Sequence, residues 1–213
     1  MKFFKHAGLA IAALLACSSA QAILIDDYNV ATASSVSDSS LDATATSAAS
    51  VIDGTNIVMG GAAGWTRDIT ASLTAGADVI ETIVCNGCQA AHVNAQNPAT
   101  GIGEFIYSGS AVVFDGTGIS FDYTLDIAGT ILNFYLSNGD VLTTGPLAAT
   151  LTGGSVNVSF GSGDYSAITS LTVEVVGTQA ADFTIDNLRT VPTPASLLLL
   201  ALGALGLGLR KKA

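Results

Sequence analysis

The sequence predicts an all-β domain, an antiparallel β-sandwich of the jelly-roll type, flanked by a signal-peptide helix and a C-terminal hydrophobic helix. Apolar and polar residues alternate in the central part of the chain, most clearly over Ile119–Asp126. This alternation places one face of a strand against a core and the other face in water. Glycine-rich turns separate such runs about every ten residues, a spacing typical of sandwiches and jelly rolls. No stretch inside the domain has a helical period.

The same pattern predicts individual strands from residue 66 onward. They are 66–74, 78–84, 104–107, 110–114, 119–126, 131–136, 141–143, 155–160, 171–175 and 182–186. Asn138-Gly139 predicts a tight type I′ hairpin turn, in which both central residues have positive φ. Residues 31–50 are rich in Ser, Thr and Ala and lack aromatic side chains, so we interpret them as a mobile segment.

Residues 1–22 have the composition of a secretory signal peptide. Lys2 and Lys5 give a positive start, and an uncharged apolar run follows them. Ala20 and Ala22 are the small residues that signal peptidase accepts, which predicts cleavage after residue 22. The apolar run is too short for a permanent transmembrane helix, which needs about 20 residues.

Two alternatives to a cleaved signal remain open at this stage. The segment could be a buried N-terminal helix of the domain. Leu14-Leu15-Ala16-Cys17 also has some similarity to a lipoprotein box, which would place a lipid on Cys17.

The charge of the predicted domain, residues 23–190, limits its partners. All 17 acidic residues of the chain lie in this domain, whereas only two of its basic residues do, Arg67 and Arg189. The formal charge of the domain is therefore −15. Such a surface repels phosphate backbones and excludes nucleic-acid binding as a function. Cations are its natural counterpart.

A second hydrophobic segment occupies residues 191–213. The residues of its Pro motif are Val191, Pro192, Thr193 and Pro194. Residues 195–209 then form an uncharged apolar run, and the basic end consists of Arg210, Lys211 and Lys212. The prolines keep the peptide extended and outside the following helix. Fifteen helical residues span about 22 Å, short for a hydrocarbon core of about 30 Å, and the trailing cations favour the cytoplasmic side.

The order of these three parts resembles the PEP-CTERM protein-sorting signal. Thr193 stands where that family most often has Glu. The resemblance implies that the precursor is held in the inner membrane by its C-terminal helix and processed by an exosortase. It also implies sorting to the cell surface or the extracellular polysaccharide matrix of a Gram-negative bacterium. The alternative is an ordinary C-terminal membrane anchor, and both interpretations place the domain outside the inner membrane.

Cys85 and Cys88 are the two cysteines that remain after signal removal. In an oxidising compartment they predict a disulfide, worth only ~2 kcal/mol because the loop that it closes is so short. A thioredoxin-type redox motif would open a helix in a βαβ unit, a context that is absent here. With His92 the pair offers three zinc ligands and no fourth. We interpret His92 as a solvent-exposed loop residue.

Acidic residues at the two ends of the domain are candidate calcium ligands. Asp26 and Asp27 lie near the mature N-terminus, and Asp182 and Asp186 lie on the last predicted strand, which a jelly roll places beside the first. We expect calcium, where it binds, to use Asp27 and Asp186 as ligands. The alternative is that these acids are simply solvated. Arg67 shares a face with apolar residues, which predicts a partly buried ion pair with a distant acid.

The expected function is that of an exported, non-catalytic cell-surface or extracellular-matrix protein. No serine has a nucleophile-elbow pattern, and His92 is the one histidine of the domain, so no catalytic residue is predicted. The alternative is a calcium-dependent carbohydrate-binding module, which could contact extracellular polysaccharide. That function needs Trp or Tyr on an open face, and the one tryptophan is Trp65.

Overall fold

The computed structural model describes residues 22–28, 33–41, 45–50, 65–76, 78–84 and 90–193. Within these ranges the chain forms thirteen strands and no helix. The strands are β1 (Leu24–Asp26), β2 (Ser34–Asp38), β3 (Thr46–Ser50), β4 (Thr66–Ala75), β5 (Ile80–Val84), β6 (Ala91–Ala95), β7 (Thr100–Val112), β8 (Gly118–Leu125), β9 (Ile131–Leu136), β10 (Val141–Thr143), β11 (Thr150–Ser159), β12 (Ile168–Val176) and β13 (Asp182–Val191).

The strands form two antiparallel sheets that enclose one hydrophobic core. The seven-stranded sheet has the order β11-β8-β13-β6-β5-β2, with β1 also paired to β13. The six-stranded sheet has the order β10-β9-β12-β7-β4-β3. From β6 onward consecutive strands lie in opposite sheets, apart from the β9–β10 hairpin, as in a jelly roll. The predicted antiparallel sandwich is confirmed.

The inward residues of both sheets are those that the period-two alternation predicted. Phe121 of β8, Phe134 of β9, Val173 of β12 and Phe183 of β13 are all buried. The rings of Phe121 and Phe134 lie 5.8 Å apart across the sandwich, within the range of favourable aromatic contacts. The core therefore forms where the sequence has large apolar side chains at every second position.

One predicted break between strands is wrong. Residues 104–107 and 110–114 belong largely to a single strand, β7, which runs through Gly109. The sequence Ser-Gly-Ser resembles a turn, but the glycine has a packing role. A Cβ atom at Gly109 would lie 2.5 Å from the ring of Trp65, which is buried just before the adjoining strand β4. The glycine makes room for the indole rather than bending the chain.

The β9–β10 hairpin begins and ends as predicted, but its turn is longer than the predicted type I′ turn. Gly139 has a φ of +91°, whereas Asn138 does not have positive φ. The Gly139 N–H donates to the Leu136 carbonyl at 2.9 Å, and the Leu136 N–H donates to the Asp140 carbonyl at 3.0 Å. These bonds describe a three-residue loop that ends in a left-handed glycine.

Three strands occur where the sequence did not predict them. Within the segment 31–50, β2 pairs with β5 and β3 pairs with β4 at the edges of the sheets. The Asp38 carboxylate accepts the Leu73 N–H at 2.8 Å, which attaches the end of β2 to β4 of the other sheet. The prediction of a mobile segment is therefore wrong for β2 and β3. The third strand, β6, lies in a region predicted as a loop.

A buried ion pair joins the first strand to the opposite sheet. Arg67 of β4 pairs with Asp26 of β1, and both side chains are 1% exposed or less. Asp26 also accepts the Tyr28 N–H at 2.7 Å and the Tyr107 hydroxyl at 2.8 Å. The Arg67 guanidinium lies 5.5 Å from the centre of the Tyr28 ring. The predicted pairing of Arg67 with a distant acid is confirmed.

Removing the cation of this pair should be strongly destabilising. Arg67→Met leaves the Asp26 carboxylate buried without its counter-charge, so we expect the free energy of unfolding to fall by about 3–5 kcal/mol. Urea unfolding of residues 23–193 measures the change. Arg189→Met is the matched control, because Arg189 pairs at 3.3 Å with Asp122 in a setting where both side chains are about one-third exposed. Its cost should stay below about 1 kcal/mol. Equal losses in the two variants would contradict this account.

Candidate functional site

The two ends of the domain meet on neighbouring strands. β1 pairs antiparallel with β13, with Leu24 opposite Arg189. The Ile23 N–H donates to the Thr190 hydroxyl at 3.0 Å, and the Thr190 N–H donates to the Ile23 carbonyl at 2.9 Å. The expectation that the first and last strands lie side by side is confirmed, and acids of both strands are brought together.

The four acids considered for calcium do not converge on one point. Asp26 is buried in its pair with Arg67, so the suggestion that it is a metal ligand is wrong. Asp182 lies at the start of β13, where its N–H bonds the Asp126 carboxylate at 2.7 Å. Burial and the charge of Asp126 raise the pKa of Asp182. Asp27, which follows β1, interacts electrostatically with Asp186 of β13.

Asp186 is one member of a polar network on the outer face of the seven-stranded sheet. Asp122 lies opposite it on β8. Asn187, at a bulge with φ of +50°, donates its N–H to Asp186 at 2.6 Å, and its amide group donates to Asp186 at 2.9 Å and Asp122 at 3.2 Å. Arg189 donates to both oxygens of Asp122 at 3.3 and 3.4 Å.

The network shifts the pKa values of the two facing carboxyls, Asp186 and Asp122, in opposite directions. Burial raises the pKa of Asp186, and the charges of Asp122 and Asp27 add to the rise, although the Asn187 N–H opposes it. Burial also acts to raise the pKa of Asp122, but hydrogen bonds, first from Arg189, outweigh it and lower that pKa below the ordinary value. Arg189 therefore neutralises Asp122, while the surroundings of Asp186 disfavour its charged form.

A groove of about 280 Å³ lies beside this network. Its lining residues are Ala90, Asp122, Tyr123, Thr124, Gly153, Thr184 and Asp186. Thr124 and Thr184 lie opposite each other on β8 and β13, and their hydroxyl oxygens are 2.6 Å apart. The groove thus combines two hydroxyls and two carboxylates on an otherwise flat sheet. Such groups hydrogen-bond to polyhydroxyl molecules and attract cations.

No set of metal ligands is complete in the described part of the chain. Within it, no group of three or more His, Cys, Asp or Glu residues is arranged to hold a metal ion. Ca²⁺ takes six to eight oxygens. Asp27 and Asp186 can supply some of them, so calcium binding through this pair stays a prediction.

Among the described residues that line the groove, none presents an open aromatic face. Trp65 is buried, and its indole N–H donates to the Ser110 carbonyl at 2.9 Å, so it is not the open stacking surface that the sequence left possible. Tyr135 is 40% exposed, but it lies on the six-stranded sheet, where its hydroxyl donates to Glu174 at 3.0 Å. Tyr123 lines the groove through a mostly buried ring that stacks on Phe183.

His92 is not in a loop, as the sequence analysis expected, but on β6, half-buried beside Thr184 of β13. Burial lowers its pKa, and the nearby charge of Asp182 acts in the opposite direction. A histidine at this place is mostly neutral at physiological pH. The prediction of a loop failed because the Ala, Val and Asn residues around His92 form a short strand only through pairing with β5 and β13.

Several predicted features lie outside the described residues. They are the signal-cleavage residue Ala20, the cysteines Cys85 and Cys88, the apolar segment 195–209, and the tail residues Pro194, Arg210, Lys211 and Lys212. The other signal-cleavage residue, Ala22, is described and is exposed shortly before β1. In the part of the chain that is described, no helix is long and apolar enough to cross a membrane. The disulfide, the signal helix and the sorting helix stay predictions.

Comparison with known proteins identifies the C-terminal segment. Residues 190–212 match the PEP-CTERM protein-sorting motif, which confirms the resemblance seen in the sequence. The motif is that of exported proteins processed by an exosortase. No curated protein matches the chain.

Solved structures with a similar arrangement include two carbohydrate-binding modules. One is the family 11 module of the cellulosomal cellulase Lic26A-Cel5E of Clostridium thermocellum, with a TM-score of 0.41 and 14% identity, over 82% of this chain and 96% of that chain. The other is a variant of the family 29 module CBM29-2 complexed with cellulohexaose, with a TM-score of 0.38 and 11% identity, over 70% of this chain and 92% of that chain.

The facing carboxyls should titrate on opposite sides of their ordinary pKa of 3.8. In a ¹³C NMR titration we expect Asp186 to titrate above that value and Asp122 below it. Because the folded-state pKa of Asp186 is raised, its protonation adds stability as the pH falls through that value, and the contribution is complete below the unfolded value. The folded-state pKa of Asp122 is lowered, so the stability that its charged form contributes is lost as the pH falls through that pKa.

Burial is the main cause of the raised pKa of Asp186, and Asp27→Asn tests the smaller contribution of the neighbouring charge. It should lower the Asp186 midpoint because it removes one neighbouring charge. Asp68→Asn, which alters an acid on the six-stranded sheet, should leave it unchanged. An Asp186 midpoint at or below that of Asp122 would contradict the assigned network.

Proposed function

We propose that this chain is an exported, non-catalytic protein that exosortase processing delivers to the cell surface or extracellular matrix of a Gram-negative bacterium. The observation that carries the proposal is the PEP-CTERM sorting motif at residues 190–212. The precursor is held in the inner membrane by the apolar helix 195–209, with its basic end in the cytoplasm. Processing at the Pro motif releases the sandwich on the other side.

The position of the motif on the fold supports this proposal. The motif begins at Thr190, which is fully buried and bonded to Ile23, and the last strand ends at Val191. All described strands lie between Leu24 and Val191. Cleavage before Ile23 and cleavage beyond Val191 therefore both leave every described strand whole. The two processing steps act at ends that the fold holds side by side.

A non-catalytic role agrees with the use that the fold makes of its charged residues. One of the two domain arginines is buried against Asp26, and the other neutralises Asp122. The half-buried His92 is kept neutral by burial. Both arginines of the domain are thus engaged in ion pairs with its own acids.

Processing in the native host tests the proposal. We expect the mature protein to begin at Ile23 and to lack the tail beyond the Pro motif, as measured by intact mass. Because the domain contains no lysine, an amine-reactive label should mark the new N-terminus alone. A double Pro192→Ala, Pro194→Ala variant should stay in the membrane fraction. Retention of Lys211 in the released protein, or cleavage before the buried Thr190, would contradict it.

A second candidate function is calcium-dependent carbohydrate binding in the groove. The observation that favours it is the groove lining, in which Thr124 and Thr184 present hydroxyls next to the carboxylates of Asp122 and Asp186. These groups match the hydroxyls of an extracellular polysaccharide. Burial raises the pKa of Asp186, and the charges of Asp122 and Asp27 add to the rise. Calcium beside Asp186 and Asp27 would offset that added repulsion.

Melting curves of residues 23–193 test the calcium part of this candidate. A cation that binds the folded state alone stabilises it by RT ln(1 + [L]/Kd), about 2.7 kcal/mol at a hundredfold excess over Kd. We expect a higher melting temperature in millimolar CaCl₂ than in EDTA or in NaCl of equal ionic strength. Asp186→Asn should abolish the difference, and Asp68→Asn should preserve it. Identical midpoints in all three buffers would remove the calcium site. A glycan array with the same variants tests the sugar separately.

A further inference from the structure

The edge strand β11 is neither short, nor charged, nor interrupted by proline, and its one protecting feature is a bulge between Thr150 and Gly154. It is ten residues long, from Thr150 to Ser159, and contains neither a charged residue nor proline. It pairs with β8, and no other described strand pairs with its free side. The other sheet edges are β2 and β3, with five residues each, and β10, with three. Short length, charge and proline are the devices that normally prevent edge-to-edge association.

The hydrogen bonds to β8 show which backbone groups of β11 remain on the free edge. The Phe160 N–H donates to the Thr117 carbonyl at 2.9 Å, just beyond the end of the strand, and the register continues with Val158 opposite Ile119. Backbone groups alternate between the two sides of an antiparallel strand. Val156 and Val158 therefore point their N–H and C=O groups at β8. The outward groups belong to Ser155, Asn157 and Ser159, whose side chains are exposed.

The sequence of this edge is the same in both directions. Ser155-Val156-Asn157-Val158-Ser159 is a palindrome about Asn157. Antiparallel pairing reverses one strand, so a second copy with Asn157 opposite Asn157 sets Val156 against Val158 and Ser155 against Ser159. The residues that meet are identical in type, and the valines stay on the core side of both sheets. In this register the outward groups form three hydrogen-bonded pairs, which amounts to about six backbone hydrogen bonds.

The absence of charge matters because two copies of this domain repel each other. Each domain has a formal charge of −15, yet the ten residues of β11 carry none of it. On the neighbouring strand β8, Asp122 is paired with Arg189. Two copies can therefore approach at this edge without bringing unpaired like charges into contact.

We propose that β11 pairs with β11 of a second copy of this chain about a two-fold axis at Asn157. The two seven-stranded sheets then form one continuous antiparallel sheet. Because both copies use the same edge, the two-fold dimer leaves no free β11 edge to which a third copy could add. One strand pair buries less than about 1,200 Å², the size of weak associations, so the dimer forms at high local concentration.

A cysteine at the axis tests the register directly. Facing residues of a hydrogen-bonded antiparallel pair have Cα atoms about 5.5 Å apart, a separation that a disulfide can bridge. Asn157→Cys in the exported protein should form a covalent homodimer on mild oxidation. Ser155→Cys and Ser159→Cys should each stay monomeric alone but cross-link when mixed. The wild-type protein controls for exchange at Cys85 and Cys88. Equal cross-linking of all three variants alone, or of none, would overturn the proposal.

Sedimentation supplies a second measurement that does not depend on the cysteines. The wild-type protein should move from monomer to dimer as its concentration rises toward the millimolar range. Asn157→Asp places two like charges opposite each other and should weaken the dimer about ten-fold or more. Ser72→Asp is the matched control, since it adds the same charge on β4 of the other sheet and should leave the dimer intact. A wild-type protein that stays monomeric throughout, or equal weakening by both variants, would overturn the proposal.

Discussion

The buried pair of Arg67 and Asp26 is the constraint on which the rest of the structure depends. It joins the three-residue strand β1 to β4 of the opposite sheet, and Tyr107 and the Tyr28 N–H complete the bonding of its carboxylate. Burial raises the pKa of Asp26 against the opposing charge of Arg67. Few other arrangements can satisfy both buried charges, so the pair restricts how β1 and β4 can be placed.

The character of the outer surface follows from this pair. Asp26 is fixed in the interior, whereas the next residue, Asp27, is half-buried and interacts with Asp186. The domain has two arginines for 17 acids, and the second one is committed to Asp122. The groove beside Asp186 thus carries negative charge that Arg189 offsets only in part.

Sequence reasoning identified the strands that carry their own signal. β8, β9, β12 and β13 have large apolar residues at alternate positions, and burial alone determines their orientation. β2, β3 and β6 consist mainly of small and polar residues, so their strand conformation depends on partners distant in sequence. Gly109 was misread because its role is set by Trp65, 44 positions away. The adjacency of the terminal strands could be predicted from the fold class. The separate roles of Asp26 and Asp27 could not, because only the register decides which of two consecutive acids faces inward.

The hydrogen bonds between Ile23 and Thr190 have a consequence for chain connectivity. Two ends that already lie on paired strands can be joined by a short linker at a small cost in loop entropy. New ends can be opened in the exposed hairpin between β9 and β10 without cutting a strand. The sandwich is therefore suited to circular permutation, which would move both ends of the domain away from the strand pair β1–β13 and leave the Asp186 groove without a chain end beside it.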